Sequence, residues 1–63
     1  MVIVKVTFTD WNEVEHQVNV TSDMCESLHH CEDEEELICV AIRYIKRRYI
    51  EWTSINTVEI IAK

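Results

Sequence analysis

The stretch CESLHHCEDEEE, residues 25–36, sets two cysteines and two histidines against five consecutive acids. Whether it lies inside one helix or divides two decides the fold. Around it, Met24, Leu28, Cys31, Glu35, Ile38, Ile42, Ile45, Tyr49 and Trp52 follow alternating steps of four and three, the spacing of an amphipathic helix. Glu35 is the one fault in the stripe, and it falls inside the acid run. One helix over 24–52 would extend about 43 Å at 1.5 Å per residue. A strand the length of VIVKVTFT covers only about 27 Å, so half of such a helix would have no sheet to cover. The stripe therefore breaks.

A long helix over 34–51 would match the strands at roughly 27 Å. Its start is explained by Asp33 as N-cap with Glu36 three residues later, and by clustered carboxylates at the positive end of the helix dipole. Lys46, Arg47 and Arg48 suit the other end. Asp23 and Glu26 repeat the capping arrangement and predict a short helix over 24–30.

Working outward, the flanking segments alternate with the period of strands. In VIVKVTFT, residues 2–9, Val2, Val4, Val6 and Phe8 share one face. In EVEHQVNV, residues 13–20, Val14, Val18 and Val20 do the same, and His16 falls with them as a core or core-edge histidine. In INTVEIIA, residues 55–62, Val58, Ile60 and Ala62 face one way and Thr57, Glu59 and Ile61 the other. The first two strands form a hairpin with Trp11 at its tip. The chain has no Gly and no Pro, so Asp10 and Asn12 are the residues expected to accept left-handed backbone there.

These elements predict one α+β domain over residues 1–63: a three-stranded sheet in ββααβ order, with the long helix on one face and a short helix before it. The third strand is placed beside the first, and parallel to it if the connection crosses the sheet. Trp52 continues the helical stripe and is assigned to the core. Lys5, Thr7, Glu13, Glu15, Gln17 and Glu59 form the wet face, and an open strand edge makes a homodimer an expectation. In element order this resembles the opening ββαβ portion of the β-grasp fold, an analogy that carries no function.

The net charge of −6 argues against direct binding of nucleic acid, which needs cations to displace counterions. It favours a basic protein partner. Three cysteines cannot all pair within one molecule, and nothing in the sequence reads as a signal peptide, a lipidation site or a membrane span. A reducing, cytoplasmic setting is the expectation.

Cys25 and His29 share a helical face, and with Cys31 they form the one metal alternative; a turn between the helices would bring Cys39 toward Cys31. There is no CxxC, HxxxH or glycine knuckle to support it, so the expectation is no metal and no cofactor. A catalytic cysteine with His29 or His30 as base is disfavoured, because the neighbouring acids raise the thiol pKa. No enzyme is predicted. The partner-binding expectation rests on Glu26, Glu32, Asp33, Glu34, Glu35 and Glu36 as an acidic surface, with Trp11 as an exposed anchor.

VIVKVTFTDWNEVEHQVNV resembles the first hairpin of many small, acidic bacteriophage or mobile-element proteins. The likeness covers a third of the chain and departs at Trp11 and Asn12, where such hairpins carry glycine. It implies a small non-enzymatic inhibitor of host machinery, of the anti-CRISPR or anti-restriction type, acting in the host cytoplasm; the acid run adds the expectation of a surface that mimics nucleic-acid charge against a nucleic-acid-binding protein. The likeness assigns no role to any single residue.

Overall fold

Val4, Val6 and Phe8 are buried along one face of the first strand, as the alternation requires. In a computed structural model that describes residues 1–63, that strand, β1 (Ile3–Asp10), is the middle of a three-stranded antiparallel sheet. Its neighbours are β2 (Glu15–Thr21) and β3 (Trp52–Ala62), in the order β2-β1-β3. A 3₁₀ helix (Glu26–His30) and the helix α1 (Glu34–Arg48) connect β2 to β3. The fold is α+β in the expected order, the short helix being 3₁₀.

The third strand lies beside the first, but antiparallel to it. The reason is the direction of α1. β2 ends level with the start of β1, and the 15 residues of α1 carry the chain back along the sheet by about 22 Å at 1.5 Å per residue. β3 therefore starts where β1 ends, with Trp52 opposite Asp10. The crossover joins β2 to β3, which run parallel with β1 between them.

The core consists of Val4, Val6 and Phe8 from β1, Val20 from β2, Leu28 from the 3₁₀ helix, and Leu37, Ala41 and Ile45 from α1. The expected stripe is thus turned on the helix at Ile38 and Ile42, while Ile45 and Tyr49 keep their places against the core. Leu37, Ala41 and Ile45, four residues apart, face the sheet, while Ile38 and Ile42 are half-buried beside them. The stripe assumed that the phase of the first helix carries through the acid run, whereas the break at residues 31–33 resets it. Ala41 is fully buried, and its small side chain lets the helix backbone approach the sheet.

Helix α1 also ends earlier than expected. The Tyr49 N–H closes on the Ile45 carbonyl at 2.9 Å, and the Trp52 N–H turns back to the Tyr49 carbonyl at 3.2 Å. Trp52 is then the first residue of β3 rather than helical core, half-buried, with Lys46 Nζ 4.6 Å from its ring centroid. Pairing with Asp10 claims the residues that helical spacing alone would have kept.

β3 is longer than its partner because its register shifts at three places, between Ile3 and Val4, Thr7 and Phe8, and Thr9 and Asp10 of β1. The shift beside Thr7 lets Ile55 pair with Phe8 while Val58 pairs with Val6. Strict alternation would have sent Ile55 to the opposite face from Val58. Asn56, the residue left over, donates from Nδ2 to Thr9 Oγ1 at 2.8 Å and to Glu15 Oε2 at 3.3 Å, tying all three strands across the wet face. Lys5 and Glu59 pair there at 3.7 Å.

The turns use different residues from those expected. Asp10 and Asn12 keep ordinary backbone, and Glu13 takes the left-handed conformation with φ 61°. Val14, expected on the buried face, lies in this loop and is exposed. Before the 3₁₀ helix, the Asp23 and Glu26 pair does not cap. Cys25 occupies that position without a side-chain bond, and Thr21 takes over, its carbonyl accepting from Met24 and Cys25 at 3.0 and 2.9 Å. At α1 the expectation holds: Asp33 Oδ1 accepts from the Glu36 N–H at 2.8 Å.

Left-handed backbone costs a non-glycine residue about 1–2 kcal/mol, so Glu13→Gly is expected to raise stability by roughly 0.5–1 kcal/mol after the greater freedom of the unfolded glycine is subtracted. Urea denaturation measures this, and a lowered midpoint would contradict the turn geometry. Asp33→Ala is expected to cost about 1 kcal/mol, whereas Asp23→Ala should stay within about 0.5 kcal/mol of wild type. Equal losses in the two variants would show that Asp33 has no special role at the helix start.

Candidate functional site

Glu32 and Asp33 extend from the chain before α1, and Glu34, Glu35 and Glu36 form its first turn. All five are exposed. Asp33 is committed to the cap, and Glu34 pairs with Lys63, the residue that follows β3. Glu32, Glu35 and Glu36 carry no salt bridge. Glu26, on the 3₁₀ helix, is exposed as well.

Two shallow depressions open among these acids. One, of about 260 Å³, is lined by Cys31, Glu32, Asp33, Glu34, Leu37 and Lys63. The other, also about 260 Å³, is lined by Asp33, Glu35, Glu36 and Cys39. Both fall below the about 300–1,000 Å³ common for small-molecule sites. Carboxylates make up much of their walls, joined by Cys31, Leu37 and Lys63 in the first and by Cys39 in the second.

Cys25 and Cys31 flank the 3₁₀ helix and pack, half-buried, against the core, while Cys39 is exposed and all three thiols are free. Cys31 Sγ lies 3.4 Å from the Ser27 carbonyl. Burial, and then the charges of Glu36, Cys25 and Asp33, push the Cys31 thiol above its ordinary value, the direction that disfavours thiolate chemistry and metal ligation. His29 and His30 are exposed, and no three His, Cys, Asp or Glu side chains are grouped so as to hold a metal ion. The alternative set of Cys25, His29 and Cys31 thus does not converge.

Trp11 is 67% exposed at the hairpin tip. It does not join the acid run. Ile3 pairs with Ala62, next to the Lys63 that bridges Glu34, whereas Trp11 follows Asp10 at the other end of β1. The eight residues of β1 separate the two by about 26 Å at 3.3 Å per residue. The predicted partner-binding residues therefore form two surfaces at opposite ends of a molecule 34 Å long.

The hairpin end has its own constellation, centred on Asp10. Its Oδ1 accepts from the Asn12 and Val14 N–H groups at 2.8 and 3.0 Å, and its Oδ2 lies 2.7 Å from His16 Nε2. The His16 ring stacks on Phe8 at 5.1 Å, and Tyr49 meets Phe8 from the helix side at 5.3 Å. A depression of about 130 Å³ lies between Phe8, Asp10, His16, Tyr49 and Glu51. The sequence placed His16 on the face of Phe8, but the ring is exposed there and is not part of the core. Its partner was not anticipated, although the carboxylate lies within the turn and the histidine a few residues beyond it.

Comparison of the chain with protein-family models, with curated proteins and with solved structures finds no match.

The His16 hydrogen bond, followed by those from Val14 and Asn12, holds the Asp10 carboxyl below its ordinary value of 3.8. A depressed folded-state value adds stability above the unfolded value, and that stability is lost as pH falls through the folded one. Asp10→Asn should therefore lower stability at neutral pH and flatten its decline below pH 3.8. Melting temperatures measured from pH 7 to about 2 test this. Parallel acid limbs in wild type and variant would remove Asp10 from that role.

Proposed function

We propose that this protein is a non-enzymatic interaction module, an inhibitor that presents its acidic end to the basic, nucleic-acid-binding site of another protein. The observation that carries this reading is the gathering of Asp23, Glu26, Glu32, Asp33, Glu34, Glu35 and Glu36 at one end, exposed, with Lys63 as their one salt-bridge partner. These are seven of the chain's 12 acidic residues.

Charge density favours such a target. Glu32 and Asp33 lie immediately before the helix and add two carboxylates to the three of its first turn. Glu34, Glu35 and Glu36 then fan around the helix start. A basic cleft built for phosphates would be attracted to this end over long range and would release its own counterions on contact. The resemblance of the hairpin to small phage-encoded inhibitors points the same way, with the target then a host protein.

The test replaces Glu32, Glu34 and Glu35 together by Gln, leaving the Asp33 cap intact. Immobilised wild-type protein should capture a basic protein from a host-cell lysate, release it as salt rises, and lose it to competing duplex DNA or RNA. The triple variant should retain at least tenfold less, since each 1.4 kcal/mol is a factor of ten in affinity. Equal capture and an unchanged salt dependence would sink the reading.

A further inference from the structure

The two free edges of the sheet are not equivalent. β3 shifts register at three places against β1, and bulges of this kind twist an edge away from pairing. β2 keeps an unbroken register with β1 from Thr21 opposite Ile3 to Glu15 opposite Thr9. Its sequence, EHQVNVT, contains none of the lysines or prolines that blunt an edge strand.

The backbone groups on that edge can be assigned. The Asp10 N–H donates to the Val14 carbonyl, and the Ser22 N–H to the Val2 carbonyl. Because bonded and non-bonded pairs alternate along an antiparallel ladder, His16, Val18 and Val20 bond inward to β1. Glu15, Gln17, Asn19 and Thr21 therefore direct their N–H groups outward. The carbonyls of Glu15, Gln17 and Asn19 point the same way, while that of Thr21 is taken by Met24 and Cys25.

We propose that β2 pairs antiparallel with β2 of a second copy about a two-fold axis at Val18, making one continuous sheet of the two molecules. In this register Gln17 of each chain exchanges both backbone bonds with Asn19 of the other. Val18 meets its twin at a non-bonded pair, where the two side chains approach most closely. Glu15, the only acid of the strand, falls opposite Thr21 of the second copy, so no like charges face each other.

The larger charges agree with this orientation. The two-fold sets α1 antiparallel to its counterpart on the same face of the joined sheet. The acidic first turn of each helix then lies across from Lys46, Arg47 and Arg48 at the end of the other. The two copies of β2 lie between the two β1 strands, which therefore stand three spacings, about 14 Å, apart at 4.7–4.8 Å per strand, and α1, packed on β1 and β3, is farther from its counterpart still. At that range salt screens most of the attraction between the opposed ends, so they orient the approach chiefly at low ionic strength and leave the acid cluster exposed. The proposal thus stands apart from the inhibitory reading of that cluster.

Sedimentation equilibrium over a concentration range tests it, using two double variants that share Asn19→Glu. Wild type should approach twice the 7.5 kDa of one chain. Gln17→Glu with Asn19→Glu sets like charges opposite each other twice and should remain at the mass of one chain. Gln17→Lys with Asn19→Glu sets opposite charges there and should associate at least as tightly as wild type. Hydrogen exchange on the wild type gives a readout free of any variant: the outward Gln17 and Asn19 amides should be protected in the associated state. A wild type that stays at 7.5 kDa overturns the proposal. So do equal masses for the two variants, or unprotected Gln17 and Asn19 amides in an associated sample.

Discussion

Val4, Val6 and Phe8 commit one face of β1 to burial, and a strand flanked by a neighbour on each side can bury that face only if a third element is laid across it. The chain is short, so the element must reach along the strand and not beyond it. The 15-residue helix α1 meets that limit at about 22 Å. Its start and stop then become the decisive local features. Asp33 sets the start by accepting the Glu36 N–H, and Trp52 sets the stop by entering the sheet opposite Asp10. The direction of β3 follows from those two points, since a single helical pass returns the chain to the far end of the sheet.

Much of this was legible because period 2 and period 3.6 are strong signals in alternating and amphipathic segments. The three strands, the hairpin, the break at the acid run and the Asp33 cap could all be read from residue spacing. What escaped was set by competition between elements. Trp52 fits a helical stripe and a strand equally well, and only the pairing partner Asp10 decides between them. The buried face of α1 depends on how the helix settles on the sheet, so Leu37 and Ala41 displaced Ile38 and Ile42: Leu37, Val40, Ala41, Tyr44 and Ile45 keep helical spacing too, and spacing alone did not choose between the two faces. At the hairpin, Asp10 spends its carboxylate on two N–H groups and His16, and the strained φ passes to Glu13. Turn propensity alone favours the opposite assignment.

The candidate site shows the same limit. The acids of the run were visible as acids, but composition could not show that Trp11 lies at the other end of the molecule. Strand order and direction settle it, because the start of β1 lies beside Lys63 and the acid end, while its last residue leads into Trp11. The Asp10 and His16 pair was hidden for a related reason. Each residue had a sufficient local explanation, one as a turn former and one as a core-edge ring, and only the register brings them within 2.7 Å.

A helix start gains from carboxylates, but only over its first turn, where the dipole is concentrated. Asp33 and Glu36 also take part in the cap, Asp33 through its carboxylate and Glu36 through its N–H. Glu32 lies before the cap, while Glu26 opens the 3₁₀ helix and Asp23 lies in the turn before it. These three add to the repulsion among neighbours in a chain already at −6 and receive little of the dipole's compensation. Their position on the acidic end is therefore not accounted for by helix stability. Under the proposed reading a basic partner offsets that cost, and Asp23, Glu26 and Glu32 are the acids by which a binding surface would differ from a well-capped helix.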